Sequence, residues 1–261
     1  MNNARNRWTV MGLLSLVCFA AVVGGVAAET GYVDGIDAAF PPFSFIDENG
    51  EASGFDVEVI QWIAAELGFE VDIVPVDWDA IIPTLLTGNI DLIASGMSIT
   101  AARAQRVDFT NAYWSVDLAI VVQESQDAEG EPVAEFNPFT LIQAGNRVGV
   151  QRGTTSQTWL EENVVASGIG VELVLYDNFL LALEDLEIGR IDGAVMDAPT
   201  ATSSISGRPL TVVGTIATGE IYGYAVRPQD AALLDLLNEG LRRIQLTDVW
   251  DELVQKWLVG N

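Results

Sequence analysis

Two α/β lobes sharing one cleft are what this sequence predicts, and three observations carry the prediction. Strand-length apolar runs alternate with helical patterns over residues 32–94, in the order strand, helix, strand, helix, strand. Such an order predicts right-handed βαβ units and a largely parallel sheet. The same logic restarts over residues 171–197, after an acidic interruption, and 261 residues suffice for one large or two modest domains with cores of their own.

The N-terminus stands apart from this pattern. Arg5 and Arg7 precede an apolar run over residues 8–28 that closes in Gly-Val-Ala-Ala before Glu29. That order describes an export signal cleaved after Ala28. The run is also long enough for an uncleaved membrane anchor. Cys18, the only cysteine, lies inside it, and Val17 before it fits a lipid-attachment signal poorly. The remaining chain is cysteine-free and must hold together by its core.

From there the elements follow in order. Residues 32–37 read as the first strand, and Pro41-Pro42 makes the segment after it a rigid loop. Glu48-Asn49-Gly50 is turn chemistry. Asp56 is placed to cap a helix with Val59, Ile60, Ile63, Ala64 and Leu67 at helical spacing, and Gly68 stops it. Residues 71–76 supply a strand, a second helix runs from near Asp79 to Gly88 with Pro83 close to its first turn, and residues 90–94 form the third strand. Ser95-Gly96-Met97-Ser98 then turns into a short helix opened by Thr100, with Arg103 in its first turn. Residues 118–122 are a strand, 124–131 a solvated acidic loop, Asn137-Pro138 a helix start and 147–150 a strand. A helix follows at 157–163; strands at 171–176 and 191–196 flank a helix at 178–188. Strands at 210–216 and 222–226 and amphipathic helices at 230–245 and 248–258 complete the chain.

Ligands of open α/β sheets bind outside the carboxyl ends of strands. The Asp37 loop, the loop before Trp78 and the Ser95 turn should therefore open on one sheet edge. Gly96 admits a ligand close to the backbone, Ser98 offers a hydroxyl, and Arg103 offers a fork of donors that fits a carboxylate. The same residues also suit an ordinary turn with a solvated arginine. Gly153-Thr154-Thr155-Ser156 opens a helix with N–H groups and two Thr hydroxyls that favour an anion, and it equally suits a plain cap. Asp197 closes a strand at another carboxyl end.

The formal charge is −25, and loss of residues 1–28, which hold two arginines and no acid, would move it to −27. Basic patches are excluded as a general feature, and nucleic acid with them as a partner. Lys256 is the only lysine and there is no histidine. So acidic a surface suits saline surroundings or the solubility of an exported protein. Without histidine or a cysteine beyond residue 28, the usual bases, nucleophiles and metal ligands are absent, so binding is favoured over catalysis, with no cofactor and no metal.

The motifs carry a resemblance. Gly35-Ile36-Asp37-Ala38-Ala39-Phe40-Pro41-Pro42-Phe43-Ser44-Phe45, Gly54-Phe55-Asp56-Val57, Trp78-Asp79-Ala80-Ile81-Ile82-Pro83, the stretch from Ser95 to Arg103 and Val107-Asp108-Phe109-Thr110 resemble the extracellular solute-binding proteins of family 3. Val148-Gly149-Val150-Gln151-Arg152-Gly153-Thr154-Thr155, Asp192-Gly193-Ala194-Val195-Met196-Asp197 and Trp250-Asp251-Glu252-Leu253-Val254-Gln255-Lys256-Trp257 follow in the family's order. Those proteins are polar amino-acid receptors of ABC importers.

The resemblance implies a two-lobed periplasmic-binding-protein-like fold. A large lobe would comprise residues 32–112 and 223–261, a small lobe 118–217, and two hinge crossings 113–117 and 218–222. Arg103, helped by Ser98 and Thr155, would hold the ligand α-carboxylate, and Asp197 the α-ammonium. Phe40 and Trp78 would stack on the ligand side chain, and Asp37 would meet its polar end, with Gly96, Gln151 and Thr154 completing the wall. Phe40 and Trp78 also fit a core, and Asp197 a helix cap. Gln151 stands where some glutamine-binding relatives carry lysine, and Met196 where some members carry a polar residue, which makes the cleft wall more apolar.

On this basis the expected protein is a monomeric, exported receptor, periplasmic or extracellular, that passes a free amino acid to an ABC permease. An acid between two aromatic faces favours arginine, then lysine and glutamine, then histidine. Two rivals remain: a cyclohexadienyl dehydratase-like enzyme on the same scaffold, for which Gln151, Thr154 and Thr155 supply no general acid, and an anchored amino-acid sensor.

Overall fold

The computed structural model describes residues 31–124, 141 and 143–259. The N-terminal segment 1–28, nearly all of the acidic tract and the helix start at Asn137-Pro138 lie outside the described residues. In chain order come β1 (Gly31–Ile36), β2 (Ala39–Phe40), β3 (Ser44–Ile46), β4 (Ala52–Ser53), α1 (Phe55–Leu67), β5 (Glu70–Pro75), α2 (Trp78–Leu86), β6 (Leu92–Ile93), α3 (Ala101–Ala104), β7 (Asp108–Phe109) and β8 (Trp114–Gln123). Then follow β9 (Arg147–Gln151), α4 (Thr155–Leu160), β10 (Glu172–Tyr176), α5 (Phe179–Glu187), β11 (Gly193–Asp197), α6 (Ala198–Ser204), β12 (Leu210–Tyr222), β13 (Ala225–Val226), α7 (Ala231–Ile244) and α8 (Asp248–Val254).

Two five-stranded sheets organise the lobes. The first runs β5-β1-β6-β13-β7, with β1 parallel to β5 and β6, and β13 antiparallel to β6 and β7. The second runs β10-β9-β11-β8-β12, with β9 parallel to β10 and β11, and β8 antiparallel to β11 and β12. The chain crosses from first sheet to second between β7 and β8 and returns between β12 and β13. The parallel strands of β9 and β11 are buried on both faces, which is why they read as near-continuous apolar runs.

α1 buries Val59, Ile60, Ile63 and Ala64 and ends at Gly68, whose left-handed backbone (φ 76°) lets its N–H reach the Ala64 carbonyl. On its outer side α1 packs on α7 at Gly240. A Cβ there would stand 2.3 Å from Ile63 Cγ2, so the missing side chain sets how closely the two helices approach.

Several elements differ from expectation, each for a physical reason. The prolines after Asp37 sit in a turn, and the segment around them forms a small antiparallel sheet, β2-β3-β4. The third strand shrinks to two residues; before it Asp91 N–H still donates to the Val33 carbonyl of β1, whereas after it Ala94 N–H donates to the Asp34 carboxylate in place of a backbone carbonyl. Residues 210–222 form one strand, its register with β8 shifting between Val212 and Gly214 and between Ile216 and Glu220. Pro83 is interior to α2, beyond its first turn, and α4 and α8 pass directly into π-helical turns at Glu161–Val165 and Gln255–Val259. Met196 lies fully buried in the core and lines no part of the cavity described below.

Asp56 is the clearest correction. The N-cap of α1 is Gly54, with no side-chain cap, and Asp56 turns inward. Its carboxylate, fully buried, accepts from Gly96 N–H at 2.6 Å, Tyr113 Oη at 2.8 Å and Tyr224 Oη at 3.2 Å. Asp56→Ala strands these buried donors, and a loss of about 3 kcal/mol in unfolding free energy is expected. Urea denaturation reads it; a loss below about 1 kcal/mol would show that the donors find other partners.

Candidate functional site

Strand ends and helix starts deliver every candidate side chain. Asp37 follows β1, Phe40 ends β2, and Trp78 opens α2. Gly96 and Ser98 lie in the turn after β6, and Arg103 is on α3 behind Thr100, whose hydroxyl accepts from Arg103 N–H. From the second sheet, Gln151 ends β9, Thr154 caps α4, Thr155 opens it, and Asp197 ends β11. Together these ten residues line one cavity between the two sheets. Both sheets thus present carboxyl ends to it, as the rule for open α/β sheets requires.

Gly96 has φ 54°, and a Cβ there would lie 2.5 Å from Phe40 Cε1, so only glycine leaves the Phe40 ring in place. Phe40 is both lining and core: its ring stacks on Phe43 at 5.7 Å and tilts against Phe179 of α5 at 6.0 Å. The turn is fixed from beneath by Ser95, whose Oγ accepts from Asp37 N–H and pairs with Ser44 Oγ.

Polar contacts cross from lobe to lobe. Gln151 Nε2 donates to Asp37 Oδ2 at 2.6 Å and to the Asp177 carbonyl at 3.2 Å. The Gly153 carbonyl accepts from Trp78 Nε1 at 3.2 Å and from Arg103 Nη2 at 3.1 Å. Arg103 Nη1 donates to the Ser98 carbonyl at 2.9 Å, and the guanidinium lies 5.3 Å over the Trp78 ring. Outside the cavity, Arg152 stands 3.7 Å from Asp79 and 3.6 Å from Asp177. Thr154 Oγ1 donates to the Gln151 carbonyl and accepts from Gln157 N–H, so the cap reading holds for it.

Asp197 occupies the N-cap position of α6 without a side-chain cap bond, so the cap reading fails there. Its carboxylate instead accepts from the Tyr222 hydroxyl. Burial pushes its pKa up to about 7, against the Tyr222 hydrogen bond; Glu220 pushes the same way and Arg103 opposes it. Burial likewise raises Asp37, although Gln151 and Ala39 N–H lower it, and burial lowers Arg103 from its ordinary value, against the fields of Asp197 and Glu220.

Two further residues of this neighbourhood lie outside the sequence motifs. Glu220 accepts from Ser98 Oγ at 2.7 Å, and Tyr222 bridges Ser98 through the backbone. Their period-two spacing in β12 puts both on one strand face, a pattern that becomes a signal only once residues 210–222 form a single strand.

Residues 33–260 match the model of a family described as bacterial extracellular solute-binding proteins, family 3. The chain belongs to that family. Among curated relatives, the L-cystine-binding protein TcyJ of Escherichia coli (strain K12) is 26% identical, covering 96% of this chain and 95% of its own. An L-arginine-binding protein of Pseudomonas aeruginosa is 30% identical, over 85% of this chain and 86% of its own. Among solved structures, an ancestral arginine-binding protein bound to arginine superposes with a TM-score of 0.79 at 36% identity, over 87% of this chain and 97% of that one. These relatives are two-lobed binding proteins. No helix among the described residues is long and apolar enough to cross a membrane.

A pH dependence follows for this family-3 protein. Asp56 and Asp197 have folded values of about 7, above their ordinary 3.8, so the folded state holds these protons more tightly than the unfolded chain. Their contribution is fully present below about pH 4 and is lost as pH rises through about 7. Unfolding free energy without added ligand should therefore fall from pH 5 to pH 8, and Asp197→Asn should flatten the fall. Chemical denaturation that shows stability rising toward pH 8, or a profile for the Asp197→Asn variant identical to that of the wild type, contradicts the assignment.

Proposed function

We propose that this chain captures a free amino acid with a cationic side chain between its lobes and delivers it to the permease of an ABC importer. The observation that carries this reading is the placing of opposite charges around one cavity: Arg103 from the first lobe, Asp197 from the second, and Asp37 between Phe40 and Gln151. A zwitterion entering a closed cleft loses hydration at both ends, and each charge then needs an opposite partner. Arg103, with Ser98 and Thr155, suits the α-carboxylate; Asp197 suits the α-ammonium; Asp37 suits the side-chain end beside Phe40 and Trp78, with Gly96 allowing close approach.

Charge balance selects within this class. Two carboxylates, Asp37 and Asp197, line the cavity with one guanidinium, that of Arg103. A ligand with a net positive charge reduces that imbalance, glutamine leaves it and glutamate enlarges it. Arginine is therefore ranked first, lysine and glutamine next, and histidine after them. The arginine-binding relatives named above support this order, while the cystine-binding one marks how widely the scaffold's ligands vary.

The lobes are assigned to residues 32–112 with 223–261, and 118–217, closing about crossings at 113–117 and 218–222. Export through residues 1–28, cleaved or retained as an anchor, and a monomeric state complete the proposal. Turnover of prephenate-like acids is disfavoured, because an anionic substrate would enter a cavity already rich in carboxylates.

A thermal-shift panel of the twenty amino acids tests the ligand class, since a ligand that binds only the folded state raises its melting temperature. Arginine is expected to give the largest shift. Asp37→Asn should then weaken arginine by about 30-fold or more and glutamine far less, because the charge pair is lost while a hydrogen-bonding group remains. A wild-type preference for glutamate or a branched aliphatic amino acid would remove Asp37 as the selector.

A further inference from the structure

Ser98 has a single hydroxyl proton, and it is donated to Glu220 Oε2 at 2.7 Å. A hydroxyl committed in this way cannot also donate to a ligand carboxylate. Glu220 reaches it because of an irregularity in β12. Between Ile216 and Glu220 that strand advances four residues while β8 advances two, from Leu118 to Val116. Gly219, at φ 70°, lies in the extra length. The strand beyond it is held to the Ser95–Ser98 turn, which with Arg103 forms the carboxylate clamp of the proposed function: Ile99 N–H donates to the Ile221 carbonyl at 2.8 Å and Gly223 N–H to the Met97 carbonyl at 3.1 Å. A bulge that re-aims one side chain at a binding cleft is a recurrent use of this device.

The surroundings of that carboxylate are the clamp itself. Glu220 exerts its charge on Arg103, Asp197 and Tyr222. Arg103 donates to the Ser98 and Gly153 carbonyls, and to no carboxylate among the described residues. The Ser98 hydroxyl and the Arg103 guanidinium are the two donors that a ligand α-carboxylate would need from the first lobe. Glu220 already engages one, and its charge acts on the other.

We propose that Glu220 is a specificity-determining residue, an internal carboxylate that holds the Ser98 hydroxyl and competes with the ligand α-carboxylate for the clamp, so that net positive charge on the ligand outweighs its carboxylate in selection. This rests on the amino-acid-binding function proposed above. The competition has two parts. A ligand carboxylate must displace Glu220 from Ser98 or forgo that hydrogen bond, and it enters against a like charge on the neighbouring strand. A ligand without an α-carboxylate meets neither obstacle and gains the attraction of the extra negative charge.

The test compares L-arginine with agmatine, which is arginine without its α-carboxylate, by titration calorimetry on wild type, Glu220→Ala and Glu220→Gln. In Glu220→Ala, arginine is expected to bind about tenfold tighter or more, because the Ser98 donor is freed and a like charge is gone. Agmatine should bind no tighter, so the ratio of its dissociation constant to that of arginine widens about tenfold or more. Glu220→Gln, which keeps size and an acceptor oxygen, should widen the ratio in the same direction by less, and serves if the alanine variant fails to fold. A purely structural Glu220 would shift both ligands together. A ratio within about twofold of wild type in both variants, or arginine weakened more than agmatine, overturns the proposal and leaves the binding function standing. A wild type that binds no amino acid overturns both.

Discussion

Beneath α1 the carboxylate of Asp56 ties together three parts of the chain that have to keep their relative positions if the cleft is to hold its shape. It receives the N–H of Gly96 in the clamp turn, the hydroxyl of Tyr113 where the chain leaves the first sheet, and that of Tyr224 where it returns. One acceptor thus fixes the backbone of the cleft floor to both crossings. Tyr113 packs on Tyr222 and Tyr224, at 6.2 Å and 4.8 Å between centroids, and Tyr222 donates across to Asp197 in the second lobe. The path from buried carboxylate to small-lobe acid runs through aromatic rings and hydrogen bonds, with no flexible side chain in between.

Burial imposes an electrostatic cost on this arrangement. Asp34 is fully buried beside Asp56 and accepts from Ala94 N–H, and burial raises both above the ordinary carboxylate range. Asp197 and Asp37 are raised by the same cause at the cleft. Each of these buried acids accepts from at least one donor, among them the N–H groups of Ala39, Ala94 and Gly96, the Gln151 amide and the tyrosine hydroxyls, while Asp34 Oδ2 is left without a partner among the described residues. The abundance of acid in the composition is therefore more than a surface property, because part of it lines the interior of the cleft and the core beneath it.

Local pattern makes much of this legible, and distance hides the rest. α1, α5 and α7 announce themselves by helical spacing and by Gly68, Asn178 and amphipathic character; Asn178 does accept from Leu181 N–H as a cap should. The ten candidate residues sit within short motifs at strand ends, and those motifs bring them to one cavity. Asp56 reads as a cap because an acid stands ahead of an apolar run, whereas its partners lie 40, 57 and 168 residues away. The continuation of β12 from Ile216 to Tyr222 is hidden because the register shift that absorbs its extra residues needs β8 as a partner to be seen. Glu220 stays hidden for the same reason: nothing local tells that a bulge turns it toward Ser98. The small β2-β3-β4 sheet is masked by prolines that punctuate a hairpin as readily as a loop.

The proposed function turns on a zwitterion held between Arg103 of one lobe and Asp197 of the other. Titration of Arg103→Ala with the best amino-acid ligand of the wild type tests this most directly, alongside circular dichroism to establish that the variant is folded. A loss of about 30- to several thousand-fold in affinity is expected, the effect of truncating one member of a desolvated charge pair. A folded Arg103→Ala protein that binds the same amino acid with near-native affinity would contradict that reading.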